Sequence, residues 1–79
     1  MSDDHVFMAQ VGEWMREQRA KLNIRQSDVA AALGCSVSTV SGYERGEIMI
    51  SIYSHAVLKT YFRREWTNRT KPPLAKGDS

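Results

Sequence analysis

Histidine and cysteine, the residues that most often act in catalysis or bind metals, are few in this sequence and stand far apart. His5 and His55 are separated by 50 positions, and Cys35 is the one cysteine. A single cysteine allows no intramolecular disulfide, and this set is too small for a zinc cluster. The sequence has no glycine-rich phosphate loop, no HExxH motif and no paired carboxylates. We therefore predict no enzyme activity, no metal and no cofactor, and an inert, buried Cys35 thiol.

Short side chains between residues 36 and 42 indicate a different chemistry, which is hydrogen bonding inside a narrow groove. Val37, Ser38, Ser41 and Gly42 fall on one face of a helix of this register, and Arg45 follows on the same face. A helix face of small side chains can enter a groove about 12 Å wide, the width of the DNA major groove. An ordinary helical hairpin with a polar surface would show the same spacing, so spacing alone leaves both interpretations open.

Helical periodicity and helix-ending residues predict an all-α chain. Apolar positions recur every three, four or seven residues over 6–22, and a short alanine-rich helix is expected over 26–33, ended by Gly34. Ser36 is a suitable N-cap for a third helix that ends at Gly46. Ser51 is a suitable N-cap for a fourth segment that runs to about residue 66, as one helix or as two. The pair 26–45 therefore predicts a helix-turn-helix, in which Val40 packs the third helix onto the second.

Length and charge limit the classes of protein that the sequence can encode. A chain of 79 residues makes one small domain with modest stability. Its longest uncharged stretch, residues 29–43, has 15 residues, against the 20 or so that cross a bilayer, and its acidic start does not resemble a secretory signal. We expect a cytoplasmic protein with no membrane contact. Residues 59–79 carry six basic side chains against two acidic ones, so a polyanion would be attracted to this end.

The segment over residues 22–46, LNIRQSDVAAALGCSVSTVSGYERG, resembles the Cro/repressor-type (XRE-like) helix-turn-helix family. The resemblance runs from about residue 11 to residue 61, and includes Arg19, the Gln-x-x-Val-Ala opening of the second helix and the Tyr-Glu-x-Gly ending of the third. It implies a compact lambda-repressor-like bundle of four or five helices. It also implies a regulator of transcription, most often a homodimeric repressor that binds double-stranded DNA at a near-palindromic operator. Stand-alone domains of this kind are typical of phage, plasmid and mobile-element promoters.

Roles of individual residues follow from the resemblance, position by position. The resemblance implies a structural ion pair between Arg19 and Glu44, and Gln26 as a phosphate contact that also braces the third helix. The positions that would face the DNA bases are Ser36, Val37, Ser38, Ser41 and Gly42. The positions that would contact the DNA backbone are Arg25, Gln26, Thr39, Tyr43 and Arg45. Tyr43 is equally compatible with packing on the fourth helix.

Two departures from the family pattern affect these expectations. Arg25 stands where the family commonly has a capping Ser, Thr or Asn, which costs about 1 kcal/mol of capping but offers a cation to phosphate. The base-facing set lacks the usual Gln, Asn or Arg, so direct readout would depend on serine hydroxyls and on Val37 against a thymine methyl. We infer that specificity depends more on half-site spacing and DNA deformability.

The apolar residues outside this motif are candidates for subunit contact. The loop 47–52 is unusually apolar, and either covers the core or contacts a second subunit. Phe62 and Trp66, beyond the matched region, are the better dimer candidates. We predict a domain over 1–66 and a flexible basic tail over 67–79, which either contacts DNA or is a spectator. The alternative function is an antitoxin that binds a toxin protein and its own operator, using residues 1–8 and the tail as the toxin surface.

Overall fold

The computed structural model of the chain describes residues 3–70, and these residues form four helices. In chain order the helices are α1 (Asp3–Leu22), α2 (Gln26–Leu33), α3 (Val37–Glu44) and α4 (Ile52–Thr70). The all-α prediction is confirmed. None of the four helices is long and apolar enough to cross a membrane, and residues 3–70 bring no metal-binding group of histidine, cysteine and acidic side chains together.

The helix ends lie where the capping and breaking residues place them. Asn23 adopts a left-handed conformation with a φ of 56°, and Gly34 does so with a φ of 70°. The Ser36 hydroxyl accepts a hydrogen bond from the Thr39 amide at 3.1 Å, and the Ser51 hydroxyl accepts one from the Ser54 amide at 3.0 Å. These contacts confirm the predicted starts of α3 and α4. Ser2, which is a suitable N-cap for α1 by residue type, lies outside the described residues.

The helix α4 is continuous and longer than the sequence predicts. The prediction of a flexible tail from residue 67 is wrong for residues 67–70, which are helical, and residues 71–79 lie outside the described residues. The reason is a tertiary contact, because the Arg69 guanidinium donates to the Leu22 carbonyl at 2.9 Å and pairs with Glu65 at 3.0 Å. A carbonyl left unpaired at the end of α1 is thereby satisfied, which anchors the last turn of α4.

A small core holds the four helices together. Its fully buried side chains come from all four of them, and they are Met15, Leu22, Val29, Val40 and Leu58. Around this core α3 packs on α1 and α2, and α4 packs on α2 and α1, so the helices follow the circular order α1, α3, α2, α4. The pair α2–α3 therefore lies on the side of the bundle opposite the pair α1–α4.

Candidate nucleic-acid interface

The helix α3 has one face in the core and one face open to solvent. Val40 and Glu44 are buried, whereas Val37 keeps 44% of its surface exposed and Ser38 is also exposed. Ser41 is half-buried at the edge of the open face. The short turn at Gly34 and the buried Ala30 let α2 pack closely against α3. The open face thus consists of small side chains, as a helix that enters a DNA groove requires.

A network around the Glu44 carboxylate fixes α3 to its neighbours. Glu44 is only 3% exposed, and its two oxygens accept hydrogen bonds from Arg19 on α1 at 2.6 and 2.9 Å. The hydrogen bond to this carboxylate raises the pKa of Arg19. Gln26 on α2 donates to the same carboxylate at 3.0 Å, and Arg16 donates to the Glu44 main-chain carbonyl. Side chains from α1 and α2 therefore converge on the last residue of α3.

The start of α2 presents a cation. Arg25 is the N-cap of α2 and its side chain forms no capping bond, but its amide donates to the Asp28 carboxylate at 3.0 Å. That bond is the reciprocal half of a capping box, in which the side chain at the third helical position accepts from the N-cap amide. The Arg25 side chain is 83% exposed, with its Nε 3.8 Å from Asp28. An exposed cation beside the positive end of a helix dipole is suited to a phosphate contact.

The other residues that are predicted to contact the DNA backbone already form contacts within the chain. The Thr39 hydroxyl lies 3.0 Å from that of Ser36, so the two side chains are hydrogen-bonded to each other at the N-terminus of α3. Arg45 donates to the Ser41 hydroxyl and to the Glu47 carboxylate, the latter at 3.0 Å. The Arg45 guanidinium lowers the pKa of Glu47, and Glu47 raises that of Arg45. Tyr43 is half-buried and packs against the core.

Comparison with known families identifies this arrangement. A helix-turn-helix family model matches residues 15–53, which include all of α2 and α3. Residues 15–53 belong to the helix-turn-helix family of the Cro/repressor type. The chain is accordingly a DNA-binding regulator of transcription. No curated protein and no solved structure is significantly similar to the chain.

Within the helix-turn-helix, the prediction that Gly42 faces the bases is wrong. Gly42 is buried, and a Cβ atom at this position would lie 2.7 Å from Cγ1 of Ile48. The loop after α3 folds back over this glycine, since the amides of Glu47 and Ile48 both bond to its carbonyl. Gly42 is therefore a site of close packing between α3 and the following loop, and Ile48 covers the place that a base would need.

The dimer candidates also need correction, because Phe62 is only 3% exposed. Its ring packs edge-to-face on Trp14 with 5.3 Å between the centroids, so it contributes to the core of this subunit. Trp66 keeps 48% of its surface exposed. The apolar loop divides in two: Ile50 is 5% exposed and covers the core, whereas Ile52 is 90% exposed. Ile50 therefore covers the core, and subunit contact stays a prediction for Ile52.

Two contributors to the helix-turn-helix were not predicted from the sequence. Arg16 supports the end of α3, and Gly12 lets α1 approach the main chain of α3 at Tyr43 and Glu44. Their spacing from Arg19, at three and seven residues, places all three on one face of α1. Once Arg19 is assigned to the ion pair with Glu44, this spacing indicates that Gly12 and Arg16 also face α3.

Proposed function

We propose that the chain is a dimeric repressor that inserts α3 into the major groove of a near-palindromic operator, at a phage, plasmid or mobile-element promoter. The observation that carries this proposal is the open face of α3, where the small side chains of Val37 and Ser38 are exposed. The Glu44 network supports it, because a helix that reads DNA must hold a fixed orientation.

The exposed residues of α3 also support the proposed mode of readout. Ser38 and Val37 offer one hydroxyl and one small apolar contact, and with Gly42 buried the base-facing set is smaller still. We expect most operator positions to contribute modestly, with half-site spacing and deformability supplying the rest. Base-by-base substitution of the operator checks this expectation. Three or more contacted positions that each cost over about 2 kcal/mol would contradict it.

The proposed subunit contact uses the apolar surface beside α3. Met49, Ile52 and Tyr53 are exposed by 43%, 90% and 78% of their surface. Single exposed apolar residues are ordinary, but three within five positions at the start of a helix are typical of an interface. This surface begins in the loop that leaves α3, so a contact here would lie close to α3 in each subunit.

The test is footprinting on the DNA upstream of the gene, followed by mobility shifts with two variants. Ser38→Glu places a carboxylate on the open face of α3, and we expect it to abolish binding by repelling phosphate. Thr60→Glu adds the same charge to an exposed position of α4 and should bind as the unchanged chain does. A chain that protects no upstream fragment at low salt, or a Ser38→Glu variant that binds normally, would refute the proposal.

A further inference from the structure

A groove runs between α1 and α4, on the side of the bundle away from α2 and α3. The two helices run in the same direction, because Phe7 packs by His55, Trp14 by Phe62, and Leu22 is bonded to Arg69. Two adjoining cavities of about 390 and 290 Å³ form the groove and share Trp14 and Lys59. From Phe7 to Lys21 its length along α1 is about 21 Å, or four helical turns.

The groove combines an aromatic floor with a positive rim. Phe62 is buried at its base, and the Trp14 ring packs nearly perpendicular to those of Phe62 and His55, with 5.5 Å between the Trp14 and His55 centroids. The cations of the rim are Lys21, Lys59 and Arg63, all on exposed residues. None of the residues that line the two cavities has a carboxylate. An apolar trough flanked by uncompensated cations complements a ligand that is apolar on one side and acidic on its flanks.

The position of the groove argues against a second copy of this chain as its occupant. The circular order of the helices puts the groove opposite the α2–α3 pair. A symmetric dimer formed through it would direct the two α3 helices away from each other, and they could not reach one duplex. An occupant from another protein, in contrast, could bind while α3 remains on DNA.

We propose that the α1–α4 groove binds an amphipathic acidic helix of a partner protein. Trp14, Gln18 and Lys21 line one wall at steps of four and three. Lys59, Phe62 and Trp66 line the other at steps of three and four, so the spacing on both walls matches that of a helical ligand. Single-stranded nucleic acid fits less well, because stacking of bases needs a freely accessible aromatic ring and Trp14 already packs against Phe62 and His55. The proposal is independent of the repressor role, because it concerns the opposite face of the bundle.

The chain contains its own reporter for the test. Its two tryptophans are Trp14 and Trp66, and both line the groove. The probe is a synthetic amphipathic peptide of leucine and glutamate, with leucine at positions i, i+3, i+4 and i+7 and a length of about four turns. Titrating it into the full chain should give a saturable change in tryptophan emission. A peptide of the same pattern with lysine in place of glutamate should give none.

Matched charge variants decide whether binding occurs in the groove. We expect the double variant Lys59→Glu, Arg63→Glu to bind the glutamate peptide with an affinity lower by about tenfold or more, because like charges would then face each other. Arg64→Glu makes the same change on an exposed residue of α4 outside the groove and should leave binding unchanged. A double variant that binds as tightly as the unchanged chain would overturn the proposal, as would equal binding of both peptides. So would oligothymidylate, if it competed fully with the glutamate peptide.

Discussion

The guanidinium of Arg19 holds the carboxylate of Glu44 with two hydrogen bonds, of 2.6 and 2.9 Å. These residues join the first helix of the bundle to the last turn of α3. Gln26 adds a third bond to the same carboxylate from α2. A helix of eight residues is too short to be stable alone, so its orientation depends on such contacts. The ion pair therefore has a functional consequence, which is a fixed angle between α3 and the surface it presents.

Removing either partner of this pair should destabilise the fold, and by unequal amounts. Arg19→Met leaves a carboxylate that is 3% exposed, and we expect a loss of about 3–5 kcal/mol in the free energy of unfolding. Glu44→Met leaves Arg19, whose side chain is 23% exposed and can turn to solvent, so its cost should be smaller. Urea denaturation measures both. The control is Arg25→Ala, at an exposed pair, which should cost no more than about 1 kcal/mol. Equal costs for all three variants would contradict this account.

Gly12 is a second position where α1 and α3 depend on each other. A Cβ atom here would lie 2.5 Å from the Glu44 carbonyl oxygen and 2.7 Å from that of Tyr43, and neither main-chain atom can move aside. We expect Gly12→Ala to destabilise the chain by about 2 kcal/mol, even though alanine favours the helix by about 1 kcal/mol. Thermal or urea unfolding checks the sign.

The variant Gly42→Ala is the control for Gly12→Ala. At Gly42 the obstacle is the side chain of Ile48, which is 42% exposed. Ile48→Ala should therefore restore the stability of Gly42→Ala, whereas no side-chain truncation near Gly12 should restore Gly12→Ala. A stabilising Gly12→Ala would show that α1 and α3 are not in the close contact described.

Local signals predicted the ends of the helices well. Gly34, Ser36 and Ser51 each act through neighbours in sequence, so their effects on helix ends are readable from the chain alone. The pairing of Arg19 with Glu44 came from the family resemblance, because the two residues are 25 positions apart.

The errors concern contacts between segments that are distant in sequence. No residue near Arg69 in the sequence indicates that its side chain bonds to the end of α1. The sequence therefore predicts a tail where residues 67–70 form a helical turn. The same holds for Phe62, whose burial depends on Trp14 of another helix. Gly42 was assigned to the open face by helical period, but the loop after α3 determines what covers it.

The pair Arg45–Glu47 gives a prediction about DNA affinity. The Arg45 guanidinium donates to the Glu47 carboxylate at 3.0 Å. This contact lowers the pKa of Glu47, so the carboxylate is ionised at neutral pH. Glu47→Gln should free Arg45 for phosphate and remove a repelling charge. We expect tighter binding and a slope of log K against log salt that is steeper by about 0.9. Glu17→Gln, on an exposed position of α1, is the control and should leave the slope unchanged. An unchanged slope for Glu47→Gln would mean that Arg45 does not reach the backbone.

The thiol of Cys35 should react slowly in the folded chain. Cys35 is half-buried and not fully buried as predicted, and this partial burial raises its pKa, so the thiolate is less populated at a given pH than in the unfolded chain. Because the folded pKa is the higher one, this group lowers stability only as the pH rises above the unfolded pKa. Alkylation by iodoacetamide at mildly alkaline pH should be slower than for the same chain in denaturant. Equal rates in the two states would show that the thiol is open to solvent.

The exposed surface at Met49, Ile52 and Tyr53 can be tested as the subunit contact independently of DNA. Ile52→Glu puts a charge at a position that is 90% exposed, so it should leave the unfolding free energy nearly unchanged. In a dimer built on this surface it buries an unpaired charge, and sedimentation should shift toward the monomer. Trp66→Glu tests the remaining sequence-based candidate by the same measurement. If Trp66→Glu dissociates the dimer and Ile52→Glu does not, the contact lies at the end of α4 instead. A chain that sediments as a monomer without either change would refute the dimer.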